Sequence, residues 1–163
     1  MANTPRRTQA LTAVHAWLND LPGTCQVLSD KELRAYSGRR FTAGWRIEVT
    51  IADRSWMIDL LADGGFPRKP LRVSLVNGPK FLEWPHVEKD GVLCVIQPGA
   101  LVAASNPVGV TQYVLGSACE LIEKSVSGSN IGDFRAEFMT YWCATDGATR
   151  FYSLIDTGLP SRV

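Results

Sequence analysis

Short connections between strand-like segments are the feature that most restricts the fold of this chain. Apolar and polar side chains alternate from Trp45 to Ile51, which is the period of a half-buried strand. The turn Ala52-Asp53-Arg54-Ser55 leads directly into a second strand at Trp56–Leu61, and Leu71–Val76 predicts another. Adjacent parallel strands need a crossover of about a dozen residues or more, which such short connections cannot supply. The sequence therefore predicts an antiparallel meander.

Helical segments flank this meander. Helical spacing after the capping residues Thr4, Asn106 and Asp133 predicts three helices, at residues 4 to about 20, at residues 107 to about 126, and in a short stretch after Asp133. The more polar segment Cys25–Tyr36 predicts a weak first strand, which brings the sheet to four strands. Because no linker and no internal repeat interrupts the chain, we expect residues 1–163 to form a single domain of the α+β class.

Charge and hydrophobic pattern argue against two classes of partner. The formal net charge is +1, whereas proteins that bind nucleic acid or an anionic membrane usually carry a basic surface. The most apolar region, Val92–Ala104, contains Gln97, Pro98 and Gly99 and is too short to cross a bilayer. The sequence therefore predicts neither a nucleic-acid partner nor a membrane partner.

The cysteines and histidines follow no metal-binding pattern. The chain has four cysteines and two histidines, at Cys25, Cys94, Cys119, Cys143, His15 and His86. The cysteines are widely spread and form no C-x-x-C pair, so we expect thiols and no metal site. No glycine-rich nucleotide-binding loop is present, and we expect no cofactor. Thiols without a signal peptide fit a reducing, cytoplasmic setting.

One cysteine stands in a context that suggests chemistry. Cys94 follows the turn Lys89-Asp90-Gly91, and His86 lies eight positions upstream of it. A thiol acts as a nucleophile only where it can ionise, be reached by a partner and have donors for the developing charge. Alternatively, Cys94 is a small buried apolar residue, as intracellular cysteines often are. The spacing alone leaves both interpretations open.

Two linked motifs are similar to those of the ubiquitin-conjugating family. Phe66-Pro67-Arg68-Lys69-Pro70 resembles the aromatic-Pro-x-x-Pro motif that precedes the family's last strand. Trp84-Pro85-His86 stands where the family has His-Pro-Asn, and Asp90-Gly91-Val92-Leu93-Cys94 matches its Gly-x-(Ile/Leu)-Cys ending. The spacing from His86 to Cys94 equals the family's Asn-to-Cys spacing. The resemblance covers residues 4 to about 127.

The resemblance implies a fold and an activity. The fold is an N-terminal helix, a four-stranded antiparallel meander, an active-site loop and two or more C-terminal helices. The activity is that of a cysteine acyltransferase, in which Cys94 carries an acyl group as a thioester and passes it to a lysine or another amine.

Several residues around the cysteine acquire roles from the same resemblance. Prolines stiffen a loop, so Pro67, Pro70 and Pro85 are expected to hold the chain around Cys94 in a fixed shape, together with Trp84. The break at Ser129-Asn130 stands roughly where the family has a residue that gates the incoming amine.

His86 departs from the family pattern, because the family has asparagine there and has histidine where this chain has Trp84. In the family, the asparagine orders the loop and supports the oxyanion when a lysine attacks the thioester. A histidine also donates a hydrogen bond, so His86 is a candidate for the oxyanion role. Alternatively, it assists ionisation of the thiol, acts as a general base, or makes a purely structural bond to a backbone carbonyl. The sequence leaves these interpretations open.

A later segment narrows the resemblance to bacterial relatives. The residues from Asp133 to Trp142 resemble the D-F-x-x-E-F-x-x-Y-W helix of ubiquitin-conjugating-like proteins encoded in cyclic-oligonucleotide anti-phage defence (CBASS) operons. That resemblance implies that the acyl group on Cys94 is the C-terminus of a cGAS-like nucleotidyltransferase. It also implies a separate ubiquitin-activating-like adenylating enzyme wherever activation is needed, since these residues contain no adenylation domain. The chain is expected to be either a standalone protein or an excised N-terminal domain.

Two other functions remain open at this stage. A non-catalytic scaffold of the same fold would bind a nucleotidyltransferase or ubiquitin-like tail, although such variants have typically lost the cysteine that this chain keeps at position 94. A thiol hydrolase would use a Cys94–His86 dyad, but no third orienting group is evident.

Overall fold

The computed structural model describes residues 4–36, 38–96, 102–137 and 141–142, and it divides the chain into two compact units, Met1–Ile131 and Gly132–Val163. The elements of the first unit are α1 (Thr4–Asn19), β1 (Cys25–Val27), α2 (Asp30–Arg34), β2 (Phe41–Ile51), β3 (Arg54–Asp63), β4 (Arg72–Leu75), β5 (Val92–Leu93) and α3 (Pro107–Ser127). In the second unit, the described helix is α4 (Asp133–Ala136).

The sheet confirms the predicted antiparallel meander and the α+β class. Five strands lie in chain order, β1-β2-β3-β4-β5, and each pairs antiparallel with the next. The turn between β2 and β3 has positive φ at both Ala52 and Asp53, 49° and 58°. Turns with two positive φ angles match the twist of the flanking strands. This turn sets the register in which Trp45 faces Leu60.

Two predicted elements differ from the observed ones. The sheet has a fifth strand, β5, inside the segment that the sequence analysis treated as a loop. The predicted strand Cys25–Tyr36 is wrong beyond Val27, because Asp30–Arg34 is helical. The physical reason is a capping box, in which Ser29 Oγ accepts from the Glu32 N–H and the Glu32 carboxylate accepts from the Ser29 N–H at 2.8 Å.

One face of the sheet packs against α1 and α3 to form the main core. Alternate residues of β3, Ile58, Leu60 and Ala62, are fully buried on this face, as the period of a strand requires. Helix α1 contributes Val14 and Leu18, and α3 contributes several further apolar side chains. A hydrogen bond of 3.1 Å from the Trp45 indole N–H to His15 Nδ1 ties α1 to β2.

The other face of the sheet carries α2 and a buried charge. Asp59 points away from the main core and is only 2% exposed. Its carboxylate accepts two hydrogen bonds from the Arg46 guanidinium, at 2.7 and 2.8 Å, and one from the Tyr36 hydroxyl at 2.8 Å. Burial raises the pKa of Tyr36, which keeps its hydroxyl protonated as a donor. These three side chains anchor the segment after α2 to the sheet.

The helix termini follow the sequence signals in part. Asn106 caps α3 as predicted, because its side-chain oxygen accepts from the Gly109 N–H at 2.9 Å. The predictions that Thr4 caps α1 and that Asp133 caps α4 are wrong, since both residues are already helical and Gly132 is the N-cap residue of α4. Within the described ranges, no helix combines the length and apolarity needed to cross a membrane.

The buried Asp59–Arg46 pair should matter far more to stability than an exposed pair of the same residue types. Replacing Asp59 by alanine removes both of its hydrogen bonds to Arg46 and leaves that half-buried guanidinium with Glu32 as its remaining carboxylate partner, so we expect the free energy of unfolding to fall by about 3 kcal/mol. The matched control is Asp30→Ala, whose partner Arg34 lies 3.6 Å away on the surface of α2. That change should cost no more than about 1 kcal/mol. Urea unfolding measures both, and equal losses would contradict the assignment.

Candidate functional site

Residues 86 to 94 form a short antiparallel hairpin that places His86 opposite Cys94. The Cys94 N–H donates to the His86 carbonyl at 2.8 Å, and the Glu88 N–H donates to the Val92 carbonyl at 2.9 Å. Between these bonds, Val87 is bridged to Leu93. Residues opposite each other in such a pair are close enough for their side chains to interact. The hairpin thus makes neighbours of two residues that are eight positions apart in the chain.

The backbone at His86 has an unusual conformation. Its φ is 61°, in the left-handed region that is uncommon for residues other than glycine, although asparagine, aspartate and histidine are enriched there. Immediately before it, Pro85 is buried, and the Trp84 ring contacts Trp56 of β3 edge-on with ring centroids 5.9 Å apart. Trp84 and Pro85 therefore pack the entry to the hairpin against the core.

Two arginines outside the hairpin bind carboxylates at its tip. Arg39 lies in the segment between α2 and β2, and its guanidinium pairs with both Glu88 and Asp90. Arg72 of β4 pairs with the other carboxylate oxygen of Glu88. Glu88 thus joins two elements that are distant in sequence. We refer to Arg39, Arg72, Glu88 and Asp90 as the tip cluster.

The hairpin is also fastened to β4 by neutral contacts. Val73 and Ser74 pair with Leu93 and Val92 in the sheet. The Ser74 hydroxyl donates to the Gly91 carbonyl at 3.0 Å, and the Gly91 N–H donates to the Glu88 carbonyl at 2.9 Å to close the turn. Gly91 has φ +78°, a value that suits glycine because it has no Cβ. The turn and the strand therefore fix each other.

The cysteine thiols differ in their surroundings. Cys25 and Cys119 pack against the main core, and burial raises the pKa of both thiols. A raised pKa reduces the thiolate fraction at neutral pH and makes a thiol a poorer nucleophile. Cys94 is half-buried at the open end of the hairpin, next to the His86 backbone. Cys143 lies outside the described residues.

Pro67 and Pro70 lie in the loop between β3 and β4. The Phe66–Pro67 peptide bond is cis, and the Phe66 ring is buried in the main core. Pro67 and Arg68 line a cavity of about 530 Å³ with the first turns of α1 and the start of α3. Of the predicted loop-shaping residues, Trp84 and Pro85 thus adjoin the hairpin directly, whereas Pro67 borders this cavity.

The candidate gate residues lie at the C-terminal end of α3. Gly128 ends the helix in the left-handed conformation, and the Ser129 N–H donates to the Lys124 carbonyl at 3.0 Å. Asn130 is buried, with its side-chain amide donating to Ser125 Oγ at 2.8 Å. In these positions, the two residues bond to the helix that precedes them.

Sequence reasoning gave no role to the tip cluster. Glu88 and Asp90 stood inside the motif, but Arg39 is 49 residues from Glu88 and has no local pattern that marks it. Only the fold brings these charges together. Over the residues that the structure describes, no group of three His, Cys, Asp or Glu side chains is arranged to hold a metal ion.

The fold and the hairpin define a class of protein. An N-terminal helix, an antiparallel meander and C-terminal helices, in this order, form an E2-like, that is, ubiquitin-conjugating-like, fold. The model of prokaryotic E2 family B matches residues 17–151, most of the chain, and the chain belongs to that family. No curated protein and no solved structure matches the chain.

The left-handed backbone at His86 predicts which replacements the fold tolerates. His86→Asn and His86→Val both remove the imidazole, but asparagine adopts a positive φ readily and a β-branched valine does not. We expect the valine variant to be less stable than the asparagine variant by about 1 to 2 kcal/mol, measured as the difference in free energy of unfolding in urea. Equal stabilities would show that the hairpin does not require this conformation.

Proposed function

We propose that this chain is a ubiquitin-conjugating-like acyl carrier and transferase. Cys94 takes a protein C-terminal carboxyl group as a thioester and passes it to a lysine or another amine. The observation that carries the proposal is the pairing of Cys94 with His86 at the open end of a hairpin, in a member of prokaryotic E2 family B.

Both steps of the reaction exchange one acyl bond for another. In the first step, the Cys94 thiolate attacks the carbonyl of an incoming thioester, a new C–S bond forms, the C–S bond to the donor breaks, and the donor leaves as a thiolate. In the second step, an amine nitrogen attacks the Cys94 thioester, a C–N bond forms, and the Cys94 thiolate is released. The proton lost by the nitrogen passes to a base or to water. Each step develops negative charge on the carbonyl oxygen, which requires a hydrogen-bond donor.

The hairpin supports His86 as that donor. In many acyl-transfer enzymes the nucleophile's own backbone N–H helps to bind the oxyanion. Here the Cys94 N–H already donates to the His86 carbonyl, so it contributes to the hairpin instead. We therefore assign the oxyanion role to the His86 imidazole, in preference to a general-base or purely structural role.

The sequence pattern of the second unit supports a proposal for the donor of the acyl group. Asp133 to Trp142 carry the sequence pattern of the CBASS-associated proteins, and the described part contains a Phe134–Tyr141 ring contact with centroids 5.3 Å apart. We accordingly propose the C-terminus of a cGAS-like nucleotidyltransferase as the cargo, a ubiquitin-activating-like adenylating enzyme as its source, and regulation of anti-phage defence as the outcome. Thiols at Cys25, Cys94 and Cys119 suit the reducing conditions of the cytoplasm, where we place this activity.

A thioester on Cys94 is the first testable consequence. Incubation with the nucleotidyltransferase, the adenylating enzyme and ATP should give an adduct on a non-reducing gel that disappears with reductant. Cys94→Ala should abolish it, because the thiol is the attacking group. Cys119→Ala is the matched control and should leave the adduct intact.

The same assay separates the alternatives for the partner and the function. A nucleotidyltransferase that lacks its last residues should form no adduct if its C-terminus is the cargo. If Cys94→Ala leaves antiviral protection intact while a surface variant abolishes it, a non-catalytic scaffold is the correct function. Absence of any adduct with every partner combination would refute the acyl-carrier proposal.

The role of His86 can be tested by two replacements. Asparagine donates a hydrogen bond but cannot take a proton, whereas alanine does neither. For an oxyanion donor, transfer from the preformed thioester to free lysine should slow by about 10²- to 10³-fold in His86→Ala but by about tenfold or less in His86→Asn. Single-turnover discharge measures both rates. If both variants lose activity equally, His86 acts as the general base instead.

A further inference from the structure

We propose that Glu88 is a positioning residue for the proposed acyl transfer. By binding Arg39 and Arg72 at once, its carboxylate keeps His86 and Cys94 in register. The assignment concerns the geometry of the hairpin, and its consequence for transfer rests on the proposed function. Glu88 acts on the reaction only through the backbone that carries His86 and Cys94.

Backbone hydrogen bonds join the two arms of the hairpin at two levels. The Cys94 N–H donates to the His86 carbonyl, and the Glu88 N–H donates to the Val92 carbonyl. A slip of one residue in an antiparallel pair turns every side chain to the opposite face. Such a slip would remove His86 from its place opposite Cys94. Contacts that hold the arm of His86 from outside the hairpin therefore oppose such a slip, and Arg39 and Arg72 make such contacts with Glu88.

The left-handed backbone at His86 also depends on contacts from outside the hairpin. A residue other than glycine keeps a positive φ only where the surrounding structure imposes it. Trp84 and Pro85 hold the chain before His86, and Val87 is buried after it. Glu88 follows Val87, and its side chain is bound by Arg39 from the segment before β2 and by Arg72 from β4. Its two arginines prevent this arm from relaxing toward a regular strand.

The tip cluster is buried enough for its charges to matter. Side-chain exposure is 27% for Arg39, 27% for Arg72, 36% for Glu88 and 16% for Asp90. Exposed ion pairs contribute little because water screens them, whereas partly buried pairs with several hydrogen bonds are stronger. Glu88 uses one carboxylate oxygen for each arginine, so a neutral glutamine cannot replace it in both contacts.

Hydrogen exchange of the Cys94 amide tests the geometry without any acyl chemistry. In Glu88→Gln, we expect this amide to exchange about tenfold faster by NMR, because the hairpin opens more often. The Cys94 amide should exchange faster than the Leu60 amide of β3 in both proteins, which separates local opening of the hairpin from global unfolding. The matched control is Glu120→Gln, which breaks an exposed pair with Lys124 on α3 and should leave the Cys94 amide unchanged.

Discharge of the preformed Cys94 thioester to free lysine tests the effect of Glu88 on the rate of acyl transfer. Glu88→Gln should lower the maximal discharge rate by about tenfold. The half-saturating lysine concentration should change little, since the amine does not contact Glu88. If Glu88 acts through His86, the same substitution should have an effect of less than about twofold in a His86→Ala background. A merely structural residue would slow both backgrounds equally.

Each outcome decides one of the two proposals. Unchanged exchange of the Cys94 amide in Glu88→Gln overturns the positioning role, as does faster exchange with unchanged discharge. If the wild-type chain forms no thioester, the proposed function fails, while the exchange data still decide whether Glu88 holds the hairpin. If Glu88→Gln does not fold, Arg39→Gln is measured in the same way, because it removes one of the two arginines from the same carboxylate.

Discussion

The position of Cys94 depends on the pairing of Leu93 with valines on both sides. Leu93 pairs with Val73 of β4 in the sheet and is bridged to Val87 in the hairpin, and all three side chains are buried. Burial of three aliphatic side chains at one place is worth several kcal/mol, roughly 1.5 to 3 for each. This contact attaches the hairpin to a sheet that is itself fixed by α1 and α3, so the cysteine lies on a rigid part of the molecule.

Around this apolar contact, polar groups set finer features of the site. The turn at Gly91 connects the two arms of the hairpin and accepts a hydrogen bond from Ser74, and the tip cluster binds the hairpin to β4 and to the segment before β2. The backbone bond from Cys94 to His86 then aligns the two arms. Apolar burial therefore decides where the hairpin lies, while directional hydrogen bonds and charges decide its register. The proposed acyl transfer would depend on both, because its reacting groups must meet in a narrow geometry.

Elements with a clear local period could be predicted from the sequence. Strands β2 and β3 follow from alternation and a short turn, α1 follows from helical spacing, and α3 follows from helical spacing and its capping residue Asn106. Helix α2 was missed because five residues show no period, although the Ser29–Glu32 capping box was present in the sequence. Strand β5 has only two residues, and such a strand exists only because β4 provides its partner.

The sequence by itself determined the order of the elements, the family motifs and the spacing from His86 to Cys94, because these depend on residues that are close along the chain. Only the tertiary structure decided that Arg39 and Arg72 share the carboxylate of Glu88, that His86 adopts a left-handed backbone, and that the Cys94 N–H is already bonded. The physical reason is that each of these features depends on packing between distant segments, and no local pattern encodes which distant side chains will meet.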